Sequence, residues 1–137
     1  MEQKLHTVLR KNGFRITEPR RRVFACLAGA EAALSTADII SLCPAIDKTS
    51  VYRSLDHFVE LGIAHIVPHG WKHSYELSEP FRPHHHHFTC DTCGAVLSIM
   101  SETIEKSVNQ LKEQGLIVTT HTFEARGLCH DCQTKRR

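Results

Sequence analysis

The 137-residue sequence has no long uncharged apolar run and no segment with the layout of a signal peptide. The first absence excludes a membrane-spanning helix, and the second predicts that the chain works in the cytoplasm. The sequence also has no internal repeat and no low-complexity tract, and its composition is that of a globular protein. Its length is enough for one ordinary domain or two small ones.

Six cysteines are present. In the cytoplasm thiols stay reduced, so these cysteines predict metal ligation rather than disulfides. Four of them form two Cys-x-x-Cys pairs, Cys90 with Cys93 and Cys129 with Cys132. Two such pairs are typical of a closed tetrahedral thiolate site, whose usual occupant is a structural Zn²⁺. The remaining two, Cys26 and Cys43, lie in apolar helical contexts and are interpreted as small buried hydrophobic residues.

Basic side chains are concentrated in one segment, although the formal net charge of the whole chain is only +2. Residues 10–22 contain six basic side chains and one acidic side chain, a local net charge of +5. This cluster could bind phosphates, and from charge alone a solvated helix face explains it equally well.

The first half predicts helices followed by a β-hairpin. Apolar spacing, with caps at Thr17, at Ser35 or Thr36, and at Asp47, predicts helices that end near Gly13, Gly29, Cys43 and Gly62. Two β-like runs, "IAHIV" and "HSYEL", follow and are joined by the turn "PHGWK". This order is that of a winged helix-turn-helix.

The chain changes character at "EPFRP", residues 79–83, where two prolines indicate a hinge. We therefore predict an α+β protein with a winged-helix DNA-binding domain over 1–80 and a small α/β domain over 81–137. In the second domain, "HHFTC" and "AVLSI" predict strands, residues 101–115 a helix, and "LIVTTHTFEA" a further strand. About 55 residues make a thin core, which a metal and a dimer partner would both support.

Four consecutive histidines, His84–His87, stand just ahead of the first Cys-x-x-Cys pair, separated from Cys90 by two residues. In an extended chain successive side chains point to opposite faces, so His84 and His86 face one way and His85 and His87 the other. One metal ion could not easily take all four imidazoles, but two ions could take two each.

Each histidine pair needs further ligands. Glu105, on the predicted inner side of its helix, and His121, amid the predicted apolar strand, are unusual residues to bury without a partner. A metal site that combines them with the first pair explains both: His84, His86, Glu105 and His121.

The second pair has a carboxylate candidate in Glu76, at the end of the predicted wing. A metal held by Glu76, His85 and His87 would bridge the two halves and make a switch, because its binding would fix one half relative to the other. The fourth ligand stays open between three nearby histidines, His65, His69 and His73.

Four segments in chain order, "FRITEPRRRVF", "TSVYRSLDHFVELGIAH", "HHHHFTCDTCG" and "GLCHDC", resemble the ferric uptake regulator (Fur) family of bacterial metal-dependent repressors. The resemblance covers nearly the whole chain. It implies an N-terminal winged helix, a C-terminal dimerisation domain, and a homodimer that binds palindromic double-stranded operator DNA when metallated.

The resemblance also implies roles for individual residues. The motif "TSVYR" matches the DNA-contacting recognition helix, with Thr49, Ser50, Tyr52 and Arg53, and Arg20 of "TEPR" matches a position near the DNA backbone. The four paired cysteines match the family's structural zinc site. The set that contains His84 and His86 matches a metal site inside the dimerisation domain. The set that contains His85 and His87 matches the sensory site at the hinge.

Departures from the family pattern leave the subfamily open. Iron-type members usually bring a histidine and a carboxylate to the hinge site, where this chain has Ala33 and Ser98. Zinc-type members often have a cysteine near the wing, where this chain has Ser78, although His65 stands where zinc sensors can have a wing ligand. The donor set of three imidazoles and one carboxylate suits Zn²⁺ or Fe²⁺ as the regulatory metal, as well as Co²⁺ or Ni²⁺.

The predicted function is therefore a metal-responsive DNA-binding repressor and not an enzyme. A metalloenzyme is an alternative, because paired His/Glu sites also support hydrolysis, but the chain has no nucleophile motif. A metal-buffering protein would explain the ligands but not "TSVYRSL" or the basic segment.

Overall fold

The computed structural model describes residues 1–69 and 72–135, with the side chains of Pro68, His69 and Lys72 left out. It divides into two compact units, Met1–Pro83 and His84–Arg137. In the described part of the chain, no helix is long and apolar enough to cross a membrane.

The first unit contains four helices and a small antiparallel sheet. The helices are α1 (Glu2–Lys11), α2 (Glu18–Gly29), α3 (Thr36–Leu42) and α4 (Lys48–Glu60), and the strands are β1 (Leu34–Ser35), β2 (Ala64–His69) and β3 (Lys72–Leu77), in the order β1-β3-β2. The predicted turn "PHGWK" falls largely outside the described residues.

Helix ends in this unit follow local chemistry. Ser35 and Asp38 form a reciprocal capping box that begins α3, and the Asp47 carboxylate accepts a hydrogen bond from Ser50 N to begin α4. Thr17 occupies the cap position of α2 as predicted, but its side chain makes no capping hydrogen bond. Gly62, at φ 64°, permits the left-handed turn from α4 into β2.

The core of the first unit lies among the helices and the sheet. Leu5 and Leu9 of α1, Val51 and Leu55 of α4, and Ile39 of α3 are fully buried. Their spacing along each helix gives α1 and α4 one apolar face each. The opposite face of α4 is thereby left for solvent.

The second unit is a three-stranded sheet with two helices. Strand β4 (His86–Cys90) is central, with β5 (Val96–Ile99) antiparallel on one side and β6 (Glu124–Gly127) parallel on the other. Helix α5 (Glu102–Glu113) connects β5 to β6, and α6 (His130–Thr134) follows β6. Ser101 stands at the N-cap of α5 without a side-chain capping bond.

The strand predicted over residues 116–125 was wrong in most of its length. Residues 116–123 have no regular structure, and β6 begins only at Glu124. β-Branched residues favour a strand only where another strand can pair with them. In the described chain β4 pairs with β5 and β6, and of residues 116–123 only Phe123 joins this ladder, by accepting a hydrogen bond from His87 N just before β6 begins.

Candidate metal centres and DNA-contacting surface

The four paired cysteines converge on one point of the second unit. Cys90 is the last residue of β4, and Cys93 lies in the following turn. Cys129 is the N-cap of α6, and Cys132 lies within that helix. Their sulfurs all lie within 4.8 Å of one another, and Cys93 Sγ is 3.7 Å from Cys129 Sγ. Sulfurs bound to a tetrahedral zinc at 2.3 Å would be about 3.8 Å apart, so the donor set fits that ion.

Local interactions hold the two cysteine segments together. Asp91 N donates to Gly127 O at 2.7 Å, and Arg126 donates to Asp91 Oδ1 from Nε and Nη2 at 3.0 and 2.9 Å. Gly94, at φ 72°, turns the chain back so that its N–H donates to Cys90 O. The first pair is thus tied to β6, and through it to the second pair.

The thiols of the cluster differ in acidity. Hydrogen bonds donated by the backbone of Cys129 and then of Cys93 lower the pKa of Cys90 to about 6. A hydrogen bond with Cys129, together with burial, raises the pKa of Cys132 to about 12. Cys90 therefore ionises to a thiolate more readily than Cys132. A metal that binds here would have to displace the proton of the more basic thiol.

A second cluster is built from His84, His86, Glu105 and His121. Glu105 Oε1 lies 3.1 Å from His86 Nε2, 3.2 Å from His121 Nε2 and 3.5 Å from His84 Nε2. His84 Nε2 and His121 Nε2 are 3.0 Å apart. Ligands of a four-coordinate ion at 2.0–2.1 Å are about 3.3 Å apart, so these four atoms match the size of one ion.

The reasons that singled out Glu105 and His121 were only partly right. The Glu105 side chain is 44% exposed, α5 has no buried residue, and His121 lies in the irregular segment 116–123 rather than in a strand. Burial favours a raised pKa for Glu105, but hydrogen bonds from His121 and His86 outweigh it and leave the pKa lowered. The carboxylate is thus held ionised, which is the form that binds metal.

His85 and His87 form the opposite pair. Their ring centroids are 5.0 Å apart, and those of His84 and His86 are 4.9 Å apart. Strand β4 begins only at His86, yet the two-residue alternation extends back through His84. Ser98 lies directly opposite His87 on β5.

Glu76, in the first unit, is a buried carboxylate whose contacts include His65 and Arg82. Its Oε1 lies 2.9 Å from His65 Nε2, and its Oε2 lies 3.4 Å from Arg82 Nη1. The Arg82 contact was missed, because "EPFRP" was interpreted only as a hinge. Arg82 also donates to Glu31 O at 2.6 Å, which anchors its guanidinium.

The three histidines considered as a fourth ligand differ in position. His65 is paired with Glu76 across β2 and β3. His73 is three residues from Glu76 on the same strand, so it points to the opposite face. The side chain of His69 lies outside the described residues.

The predicted recognition helix is α4. Thr49, Tyr52 and Arg53 are exposed on it, and Ser50 is half-buried. Arg20, on α2, is also half-buried, and its guanidinium contacts His57 of α4, which sequence reasoning missed. The sequence did carry a signal for His57, because it lies four residues after Arg53, one helical turn along the same face of α4.

Part of the basic segment is neutralised within the first unit. Arg22 donates to Glu18 at 2.8 Å, and Arg21 donates to Glu2 at 3.0 Å. These exposed pairs leave the whole segment less positive than its own sequence predicts. The charge counted over residues 10–22 did not include Glu2, which lies outside that segment.

Cys26 and Cys43 stand apart from both metal-ligand clusters. Cys43 is buried as predicted, whereas Cys26 is half-buried, and their sulfurs are 2.8 Å apart. Burial and the hydrogen bond with Cys43 raise the pKa of Cys26 to about 12, so its thiol stays protonated and weakly nucleophilic.

Comparison with known proteins identifies the family. The model of the ferric uptake regulator family matches residues 11–126. The chain belongs to this family. It is 31% identical over 136 residues to the peroxide-responsive repressor PerR of Staphylococcus saprophyticus, covering 94% of this chain and 89% of that protein.

Solved structures agree with the family assignment. The Helicobacter pylori ferric uptake regulator Fur has the same fold, with a TM-score of 0.78 at 23% identity, covering 96% of this chain and 90% of that one. A zinc uptake regulator solved in complex with zinc and DNA is 29% identical, with a TM-score of 0.59 and coverage of 98% and 93%. The predicted α+β fold, with an N-terminal helical unit that carries a wing and a C-terminal unit built on a β-sheet, is confirmed.

This Fur-family chain is a metal-responsive DNA-binding transcriptional repressor and not an enzyme. The metalloenzyme and metal-buffer alternatives are therefore set aside. Its four-cysteine cluster is typical of a structural zinc site, and the cluster of His84, His86, Glu105 and His121 has donor atoms that could hold a regulatory metal. The relatives respond to different signals, so they do not identify that metal.

Replacing Cys93 by Ser is expected to lower the zinc content and to leave the second unit misfolded, as monomers or aggregates. A hydroxyl is a poor substitute for a thiolate ligand, and formation of such a site is coupled to folding. Zinc content and circular dichroism of the purified variant check this. The matched control, Cys26→Ser, should keep both, and a fully folded Cys93→Ser protein with unchanged zinc would contradict the assignment.

Proposed function

We propose that the protein is a homodimer that works in the cytoplasm and binds palindromic double-stranded operator DNA when its regulatory metal is bound. The observation that carries this proposal is the division of His84–His87 between two faces, each pair with its rings about 5 Å apart. One face belongs to a cluster inside the second unit, and the other is assigned to a switch.

Structural Zn²⁺ is the proposed occupant of the four-cysteine cluster. The 3.7 Å separation of Cys93 and Cys129 sulfurs supports this, as does the low pKa of Cys90. The ion would tie the end of β4 to α6. The second unit needs such a tie because its buried residues among those described are few: Cys90, Val96, Cys132 and His86.

A second divalent metal, Zn²⁺ or Fe²⁺, is proposed for His84, His86, Glu105 and His121. His86 is buried, while His84 and Glu105 are 37% and 44% exposed, so the cluster opens to solvent on one side. Three imidazole nitrogens and one carboxylate oxygen suit either ion. A metal here would connect β4, α5 and the irregular segment 116–123.

The regulatory switch is proposed to consist of Glu76, His85 and His87. Glu76 belongs to the first unit and the two histidines to the second, so a metal bound by all three would couple the units. The buried Glu76 carboxylate is already oriented by His65 and Arg82. His65, at 2.9 Å from that carboxylate, is the proposed fourth ligand.

Contact with DNA is proposed for Arg20, Thr49, Ser50, Tyr52 and Arg53. Tyr52 is 51% exposed on the outer face of α4, and Arg53 follows it there, as a helix entering the major groove requires. The zinc uptake regulator of similar fold was solved bound to DNA. Arg53 would read a base edge, whereas Arg20 on α2 would contact phosphate.

Replacing Arg53 by Ala is expected to weaken specific binding by about 1–3 kcal/mol, the usual value of a bidentate base contact. Replacing Arg20 by Ala should weaken binding to every sequence and flatten its salt dependence, because a phosphate contact carries no sequence information. Fluorescence anisotropy on operator and random duplexes at several salt concentrations distinguishes the two.

The control for charge loss alone is Lys106→Ala, which removes an exposed cation from α5 in the second unit and should bind normally. Equal effects of Arg53→Ala and Arg20→Ala on operator and random DNA would contradict the proposed division of roles.

Homodimer formation is proposed to cover the apolar surface of the second unit. Six large apolar side chains are exposed there: Leu97, Met100, Leu111, Leu116, Ile117 and Phe123. Ile117 is 92% exposed, in the β-branched segment 116–123 that forms no strand. A second copy of this chain would supply both the apolar cover and a pairing partner.

Replacing Ile117 by Asp is expected to convert the dimer to a monomer, because a carboxylate would be desolvated in the interface. Light scattering after size-exclusion chromatography measures the mass. Leu42→Asp, which changes an exposed leucine of the first unit, is the matched control and should remain dimeric. A dimeric Ile117→Asp protein would place the interface elsewhere.

Changing His85 and His87 together to Ala should give a folded dimer whose DNA binding no longer responds to metal, because only that site is proposed to couple the two units. Changing His84 and His86 should act more on dimer stability. Gel shifts across a titration with Zn²⁺, and with Fe²⁺ without oxygen, check both. A normal metal response from the His85/His87 variant would contradict the assigned switch.

A further inference from the structure

The guanidinium of Arg20 is enclosed by three groups within the first unit. Its Nη2 lies 3.1 Å from His57 Nδ1, and its Nη1 donates to Arg15 O. Its central carbon lies 5.1 Å from the centroid of the Phe14 ring, which itself lies 4.6 Å from the His57 ring centroid. Arg20 is therefore held in one orientation although it belongs to a basic, largely exposed segment.

The chemistry of the pair fixes the state of His57. A guanidinium has five N–H donors and no acceptor, so Nδ1 of His57 must accept. In this contact the ring N–H of His57 is therefore the one on Nε2. Only two of the five N–H groups of Arg20 take part in the bonds to His57 and Arg15, and the other three are left for another acceptor.

The position of His57 links this bond to DNA recognition. His57 lies on α4 one helical turn after Arg53, while Arg20 lies on α2. The bond therefore connects Arg20, the proposed phosphate contact, to α4, the helix proposed to contact the bases. A free arginine side chain loses rotamer freedom when it binds, and a side chain that is already ordered avoids much of that loss.

We propose that His57 is a positioning residue for operator binding: by accepting from Arg20 it orients the guanidinium toward a DNA phosphate and holds it in register with Arg53. His57 itself does not contact DNA in this role. The inference rests on the proposed phosphate contact of Arg20 and adds the residue that prepares it.

Two substitutions that remove the acceptor test the role, each measured as the dissociation constant for an operator duplex. His57→Phe keeps a ring beside Phe14, and His57→Leu is smaller. Both should weaken binding about three- to tenfold, the effect of freeing one long side chain. His57→Asn, whose Oδ1 occupies nearly the position of Nδ1, should bind within about twofold of the unchanged protein if that ordering is restored.

A double-substitution cycle separates positioning from a purely structural effect. In an Arg20→Ala background, the three His57 substitutions should have no further effect on DNA binding. Thermal unfolding and metal content of every variant confirm that the fold is intact. Asparagine is the poorer helix former, so its recovery over leucine could not come from added helix stability.

The outcomes are distinguishable. If His57→Leu and His57→Phe weaken binding equally with and without Arg20, or if His57→Asn binds as weakly as they do, His57 does not position Arg20. If Arg20→Ala weakens binding but no His57 variant does, the inference falls while the proposed DNA contact stands. If Arg20→Ala binds normally, the proposed phosphate contact falls and this inference with it.

Discussion

Extended backbone places successive side chains on opposite faces, and this constraint governs how the protein uses its histidines. Four imidazoles in sequence cannot all reach one ion, so the chain divides them. His84 and His86 join Glu105 and His121 in a cluster whose ligand atoms lie within 4.8 Å of one another. His85 and His87 are left facing the other way. A single short segment thereby supplies ligands for two proposed sites with different tasks.

The second unit has little hydrophobic core. Its helix α5 buries no residue, and two of its few buried side chains are cysteines of the metal-ligand cluster. Small units bury a small fraction of their surface, so packing alone gives them marginal stability. The proposed zinc at the cysteines and the proposed partner over Ile117 and Phe123 would each add stability that this core does not supply. In such a unit, loss of either is expected to affect folding as well as regulation.

Features set by short-range chemistry could be predicted from the sequence. Asp47 caps α4 and Ser35 caps α3, because a cap depends on residues close in the chain. The two Cys-x-x-Cys pairs meet although 36 residues separate Cys93 from Cys129, and their shared thiolate chemistry was the signal that predicted it. The strand over residues 116–125 failed for the opposite reason. β-Branched composition favours a strand, but whether a partner is available depends on the sheet order and on other chains.

Side-chain contacts between elements were the other gap. The bond of Arg20 to His57 spans 37 residues, and that of Arg82 to Glu76 spans six, and neither separation is one for which a spacing rule exists. Glu105 and His121 were brought together for reasons that the structure only partly supports. They were chosen because each looked unusual to bury without a partner, and the structure shows Glu105 44% exposed and His121 outside any strand.

The division of the histidine run is the central claim, and locating bound metal tests it most directly. Crystals of the protein loaded with Zn²⁺ would be measured on both sides of the zinc absorption edge, so that anomalous differences locate each ion. The account predicts peaks at the four-cysteine cluster, among His84, His86, Glu105 and His121, and beside His85 and His87. Metal on only one face of the strand would show that the alternation supplies one site and not two.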